Sequence, residues 1–432
     1  MPSESADRLA ARCGAAPARG KADWLRSQLI DAIHDGWLKT GDVLPGARDL
    51  AAALGVSRGT MDAVYTQLVA EGFVRQEPRR RPVVARVPGS GPSVPERLTS
   101  AAPPPSPGVP DPSLFPHRAW AAATRASLAK MAGEDLGYPD PAGHPRLRTV
   151  LSDWLRRTRG VSTRPDDIHV TAGIAHAMAL LADVLGAGTW TLERPGSPGT
   201  THMMQQLVNV IQVPIDNHGM VPAAIPAEAG AVLVTPTHQY PTGVLMPADR
   251  RRALVDASGA AGRWVIEDDW DSHLASAGIP AAMQALAPDT VVLMGSLSKS
   301  LAPGLRLGWI VAPPPVVERL RELRERSDLG VSVVVQLAVA ELIESGGLDR
   351  HLRRARAEYA RRLERLAEHV RAHGRLTPGP GGVHAFVRTP EPEILVSEMA
   401  RIGVPAVAVD DDRHPGALIS VAAFTHHPPT PK

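Results

Sequence analysis

The chain has 432 residues, 44% of them hydrophobic, with 47 Lys and Arg against 45 Asp and Glu, so its formal net charge is +2. That length exceeds one ordinary core and predicts two domains. No run approaches the ~20 apolar residues of a membrane helix, and the single cysteine, Cys13, excludes an internal disulfide and fits a reducing cytoplasm. The opening stretch MPSESADRLAARCGAA has no basic segment followed by an apolar one, so no secretory signal is expected. It reads as a loose arm in which Cys13 is inert.

Trp24, Leu25, Gln28, Leu29, Ala32 and Ile33 recur at i, i+3, i+4 and predict a first amphipathic helix. Ala47 to Leu54 is a second, short helix with Leu50 and Leu54 inward. Gly55-Val56 makes a tight turn, and Ser57 caps a third helix running through Ala70. Met61, Val64, Tyr65 and Leu68 share one face of it, and Gly72 ends it. Two short helices joined by a glycine turn form a helix-turn-helix. Phe73-Val74 and Pro82 to Val87 predict two wing strands, with Arg79, Arg80 and Arg81 between them.

The segment LPGARDLAAALGVSRGTMDAVYTQLVAEG, Leu44 to Gly72, closely resembles the winged helix-turn-helix of the GntR group of bacterial regulators. The resemblance implies that the helix after Ser57 enters the major groove of double-stranded DNA. Ser57, Arg58, Thr60 and Tyr65 fall to this reading element. Arg48, Arg79, Arg80 and Arg81 fall to phosphates, which give affinity without sequence information. The turn EPRRRP departs from the glycine-rich wing of the group, because Pro78 and Pro82 stiffen it.

Residues 1–86 are thus expected to be the DNA-binding domain. Residues 87–114, rich in proline and small residues, read as a linker. Residues 115–432 alternate apolar strand-like runs with helical patterns. AVLVTP (231–236), RWVIEDD (263–269), TVVLMGS (290–296) and LGWIVAP (307–313) read as buried strands, and LRTVLSDWLRRT and AHAMALLADVL as helices. Such alternation predicts a largely parallel α/β sheet covered on both faces.

Chemistry gathers where these strands end. Thr171, Ala172 and Gly173 open a helix whose free N–H groups suit a phosphate. Glu267, Asp268 and Asp269 follow one strand, and three acids there are costly if buried unpaired. SLSKSLAPGLRLGW (296–309) follows another. Ser296 and Arg306 can hold a phosphate, and Lys299, partly desolvated and near positive charge, becomes a nucleophile. No metal site is expected.

These motifs resemble the fold-type I aminotransferases that bind pyridoxal 5′-phosphate. The lysine segment matches SxSKxxxPGxRxG, and YPDPAGHPRLRTVLSDWLRRTRGV matches a second segment of that fold. HQYPTGVLMP (238–247) resembles a turn of one subgroup, the MocR/GabR-type transcriptional regulators, which also carry a GntR-type reader. The resemblance runs from about Trp24 to Val421. It implies that Lys299 forms the internal aldimine and that Asp268 pairs with the pyridine nitrogen. It gives Ser296, Arg306 and the backbone at Ala172 and Gly173 to the phosphate, and Tyr240 a place beside the phenolic oxygen. It also implies a homodimer and an operator with repeated half-sites.

Substrate positions depart from the family. EDDWDSHL puts Trp270, still expected among the cofactor-binding residues, in place of a tyrosine that bonds to the cofactor's phenolic oxygen, and RPGSPG puts Ser197 in place of an aromatic near the substrate cleft. In ALISVAAF (417–424), Ile419 takes the place of the arginine that grips a substrate carboxylate, with Arg413 as an alternative. The chain stops at Lys432 without the long final helix of its relatives. Three functions compete: a regulator sensing a small effector, a working aminotransferase with an appended reader, and a degenerate dimerisation domain. The helix-turn-helix and the missing arginine favour the first. The effector is then expected to be pyridoxal 5′-phosphate itself or a ligand without an α-carboxylate.

Overall fold

The computed structural model describes residues 2–77, 80–85, 106–186, 188–275, 278–409 and 411–425. The chain divides into two compact units, residues 1–103 and 104–432. Arg79, Pro78, Arg86 and most of the proline-rich segment lie outside the described residues.

The smaller unit contains α1 (Pro2–Cys13), α2 (Lys21–His34), α3 (Ala47–Leu54), α4 (Arg58–Ala70) and two short antiparallel strands, β1 (Val74–Arg75) and β2 (Val83–Val84). The expected loose arm is instead helix α1. Leu9 and Cys13, four residues apart, turn the same way and bury in one core with Leu25, Leu29, Leu50, Met61 and Leu68. That burial pushes the Cys13 thiol up. Ser57 Oγ accepts from Thr60 N–H at 3.0 Å, the cap read from sequence.

The larger unit is built on eight strands: β3 (Ile168–Thr171), β4 (Thr189–Arg194), β5 (Asn209–Asp216), β6 (Gly219–Met220), β7 (Ala229–Val234), β8 (Trp264–Asp269), β9 (Val291–Ser296) and β10 (Gly308–Val311). Their order is β3-β10-β9-β8-β7-β4-β5-β6. β4, β5, β7, β8 and β9 are parallel. β10 runs antiparallel to β9 and β3. The reason is the short connection between β9 and β10, which carries no crossover helix and can only fold back.

Helices α5 (His117–Lys130), α6 (Pro145–Arg159), α7 (Ile174–Leu185), α8 (Pro198–Gln205), α9 (Ala248–Ala260), α10 (Pro314–Ser327), α11 (Val333–Glu344), α12 (Gly347–His369) and α13 (Pro392–Arg401) accompany the strands. Apolar cores flank the sheet, one gathering α7 and α10, another α6, α11 and α12. A second antiparallel sheet has the order β11 (Arg375–Leu376), β12 (His384–Arg388), β14 (Gly416–Ser420), β13 (Ala406–Val409). Residues 106–114, read as linker, pack within this unit. Asp111 forms a buried ion pair with Arg362 at 2.7 Å and accepts from Ser113 N–H at 2.8 Å. Proline content suggested an extended spacer, but one acid anchors the segment.

Candidate functional site

A cavity of about 380 Å³ opens at the carboxyl ends of β4, β7, β8 and β9, where ligands bind in open α/β sheets. Tyr240, Asp268, Trp270, Ser296, Lys299 and Arg306 line it together. All six were read from the sequence as cofactor residues. Ser197 lines it as well, as do Ser298 and Glu193, which sequence reasoning missed.

The loop from β9 to β10 positions the lysine. Ser296 is buried, and its Oγ accepts from Ser298 N–H at 3.3 Å. The loop then turns through Pro303–Leu305 to Arg306, at φ 49 and ψ 48. That left-handed backbone is strained for an arginine, and such strain collects at functional sites. Arg306 Nη2 donates to Ala172 O at 2.6 Å, which fixes the guanidinium at the start of α7. Gly173, at φ +93, permits this approach, since a Cβ there would lie 3.1 Å from the guanidinium. The Ala172 N–H is already committed to His176 Nδ1 at 3.0 Å. Ala172 therefore contributes its carbonyl to Arg306 rather than a free donor to a phosphate, a correction to the sequence reading. Neither Ala172 nor Gly173 lines the cavity.

The three consecutive acids prove to have separate fates, because alternate strand residues face opposite sides. Asp269 accepts from Arg159 Nε at 2.8 Å, and Ser272 Oγ donates to it at 2.7 Å. Arg159 holds its carboxyl below the usual range despite burial. Glu267 lies 3.8 Å from Arg251 and is pushed up by burial. Asp268 alone turns to the cavity. Its Oδ1 is buried without a hydrogen-bond partner. Burial, with Asp269 adding, pushes its pKa up to about 8.

Lys299 Nζ donates to Gly108 O at 2.7 Å. Burial lowers its pKa, while Asp271 and Asp268 oppose the shift. The sequence reading put positive charge beside it; the charges acting on it here are acidic. Trp270 is buried, and its Nε1 donates to His238 O at 2.9 Å, so the indole N–H turns away from the cavity. Glu193 sits among Thr235 and Gln239 donors, and burial raises it to about 7.

The residues present fit pyridoxal 5′-phosphate. The orphaned Asp268 oxygen suits a pyridinium N–H, the Lys299 amine suits an aldehyde, and Ser296 with Arg306 suits a phosphate. No second arginine lines the cavity among the described residues. Ile419 is fully buried in β14, paired with Ala385 and Ala406. Arg413 is exposed on the Asp411 turn and does not line the cavity.

In the smaller unit Arg48, Ser57 and Arg58 are exposed, and Thr60 is half-buried at the start of α4. Arg58 pairs loosely with Asp62 at 3.5 Å and Arg80 with Glu77 at 2.7 Å, both solvent-exposed. Arg81 is exposed. Tyr65 is not a DNA contact. It is buried in the core, and its hydroxyl donates to Pro45 O at 2.7 Å, tying α4 to the start of α3.

A winged helix-turn-helix joined to an aminotransferase fold defines a class of two-part regulators. Residues 22–84 match the bacterial regulatory proteins of the gntR family, and residues 109–404 match aminotransferase class I and II. The chain belongs to the GntR-type regulators with an aminotransferase-like domain. It is 35% identical to the HTH-type pyridoxine biosynthesis transcriptional regulator PdxR of Corynebacterium glutamicum, over 89% of this chain and 87% of that one. It is 31% identical to the probable rhizopine catabolism regulatory protein MocR of Rhizobium meliloti, over 81% and 77% respectively. The kynurenine aminotransferase of Pyrococcus horikoshii, solved with PMP, shares its fold with a TM-score of 0.66 and 25% identity. That match covers 73% of this chain and 85% of the aminotransferase. Among the described residues no helix is long and apolar enough to cross a membrane.

Proposed function

We propose that this chain is a cytoplasmic, homodimeric transcriptional regulator whose larger domain holds pyridoxal 5′-phosphate at Lys299 and uses its occupancy to control DNA binding. The observation that carries this reading is the orphaned Asp268 Oδ1 in the same cavity as the Lys299 amine. A buried carboxyl oxygen without a partner is costly, and a charged ring N–H would satisfy it. When bound, the cofactor supplies an electrophilic aldehyde and an electron-withdrawing ring. Lys299 supplies the amine, Asp268 holds the ring proton, and Ser296 and Arg306 hold the phosphate.

The cavity favours the cofactor itself as effector. Among the described residues lining it, the two cations, Lys299 and Arg306, suit the aldehyde and the phosphate, which leaves neither of them to grip an α-carboxylate. Similarity to a regulator named for pyridoxine biosynthesis points the same way. A working aminotransferase is the second reading, favoured by the intact Lys299 and Asp268. Purified protein should be yellow and be labelled at Lys299 on borohydride reduction, and Lys299→Ala should abolish both. Rapid conversion of the bound cofactor to its amine form by a common amino acid would favour the enzyme reading instead.

A further inference from the structure

Residues 106–110 of the proline-rich segment form a small turn against the cavity. Val109 N–H donates to Ser106 O at 3.1 Å, which closes Ser106 to Val109 as a four-residue turn. Pro107 occupies its second position, where a fixed φ pre-forms the bend. Ser106 and Gly108 line the cavity together with Lys299. Gly108 is buried, and its carbonyl accepts from Lys299 Nζ at 2.7 Å. Among the described residues no other hydrogen bond ties residues 106–110 to the rest of the unit.

The residues that follow are held differently. Asp111 pairs with Arg362 at 2.7 Å, its N–H donates to the Tyr359 hydroxyl at 3.1 Å, and Arg354 Nη2 donates to Leu114 O at 2.8 Å. All three partners belong to α12, and Arg362 is itself braced by Glu358 and Ala422 O. The segment thus has a firm post at 111–114. On the side that leads back to the smaller unit it has a single tether, to one lysine. Pro107 and Pro110 carry no N–H and cannot donate a replacement bond.

That tether and a covalent bond compete for the same nitrogen. A protonated amine carries three N–H donors. When it condenses with an aldehyde, the nitrogen forms a double bond to carbon, and two of its protons leave with the aldehyde oxygen as water. At most one N–H remains, and its direction is set by the double bond, no longer by free rotation of the lysine side chain. Gly108 O is then a buried acceptor without its donor, which is costly until the turn moves and water reaches it.

We propose that the bond between Lys299 and Gly108 is an occupancy switch: it holds the turn of residues 106–109 against the cavity while the lysine is free, and covalent capture of the lysine releases the turn and the chain leading from it to the smaller unit. The switch rests on the reading of Lys299 as the covalent anchor and links that anchor to DNA binding. It requires the aldehyde, so pyridoxine 5′-phosphate, which carries an alcohol there, fills the cavity without throwing it.

Hydrogen exchange of the full-length protein, read by mass spectrometry on peptides covering residues 106–116, tests this. Pyridoxal 5′-phosphate should speed exchange of the Val109 amide about tenfold, the loss of one hydrogen bond. The Leu114 and Phe115 amides, bonded to Asp111 O and Pro112 O in the anchored part, should keep their rates. Pyridoxine 5′-phosphate, at a concentration that blocks borohydride labelling of Lys299, should leave all three unchanged. Lys299→Ala should show the fast Val109 rate with or without cofactor, and its affinity for promoter DNA should equal that of cofactor-loaded native protein. The two cofactor arms use the native chain, so they decide the matter even if Lys299→Ala does not fold. An unchanged Val109 rate in protein whose Lys299 takes the borohydride label overturns the proposal, as does equal release by pyridoxine 5′-phosphate or a slow rate in Lys299→Ala. Absence of the label fails the cofactor reading separately, and the switch with it.

Discussion

Arg159→Met tests how the run of three acids is tolerated. Arg159 is 3% exposed and meets Asp269 through Nε at 2.8 Å and Nη2 at 3.3 Å, with further bonds to Thr237 Oγ1 at 3.0 Å and Pro280 O at 3.0 Å. Methionine fills much of the volume but leaves Asp269 charged beside Glu267 and Asp268. Breaking one side of a buried pair costs about 3–5 kcal/mol. The larger unit spans residues 104–432, that is 432 − 103 = 329 residues. At ~2.1 cal/mol/K per residue its unfolding entropy is about 0.7 kcal/mol/K, so its transition should fall by roughly 4–7 °C. Scanning calorimetry of the full chain at several pH values reads this directly. The folded carboxyl of Asp269 lies below its ordinary value, so the pair stabilises above about pH 4, and that contribution fades as pH falls through the folded value. In the variant the stranded acid gains by taking up a proton. The deficit should therefore shrink towards acid. A fall under about 2 °C, or a deficit that grows on acidification, would refute this account of the buried acids.

Arg58→Ala should cost about 1–3 kcal/mol of specific operator binding, whereas Arg80→Ala should weaken all sequences alike and flatten the salt dependence; competition binding at several salt concentrations separates them. Gly173→Ala should lower cofactor affinity about tenfold or more by pushing Arg306 from its place, as read by spectral titration, because its φ is +93 and its Cβ would crowd the guanidinium. The protein should sediment as a dimer at micromolar concentration, and a monomer would count against the repeated half-sites.

Much of this was legible because it is local. The α3–turn–α4 boundaries follow from Gly55, Ser57 and apolar spacing, and the lysine loop carries its serines, glycine and arginine within eleven residues. What was not legible depends on distant encounters. Tyr65 looks the same in sequence whether it faces DNA or Pro45 O. Residues 106–114 have a linker's composition, and distant contacts such as the ion pair of Asp111 with Arg362, 251 residues away, and the bond from Lys299 to Gly108 O show that they are packed. The helical arm Pro2–Cys13 is polar in sequence, and its burial rests on contacts of Leu9 and Cys13 with the next three helices. His238 and Asp271 stand 33 residues apart, and no spacing rule joins them.

The central claim is that cofactor at Lys299 controls DNA binding. The most direct measurement is the affinity of the full-length protein for the promoter region of its own gene, with and without pyridoxal 5′-phosphate, for the native chain and Lys299→Ala. The native affinity should change about tenfold or more, equal to a coupling of ~1.4 kcal/mol, and the variant's should not change. An affinity indifferent to the cofactor, or a cofactor response that survives in Lys299→Ala, would contradict it.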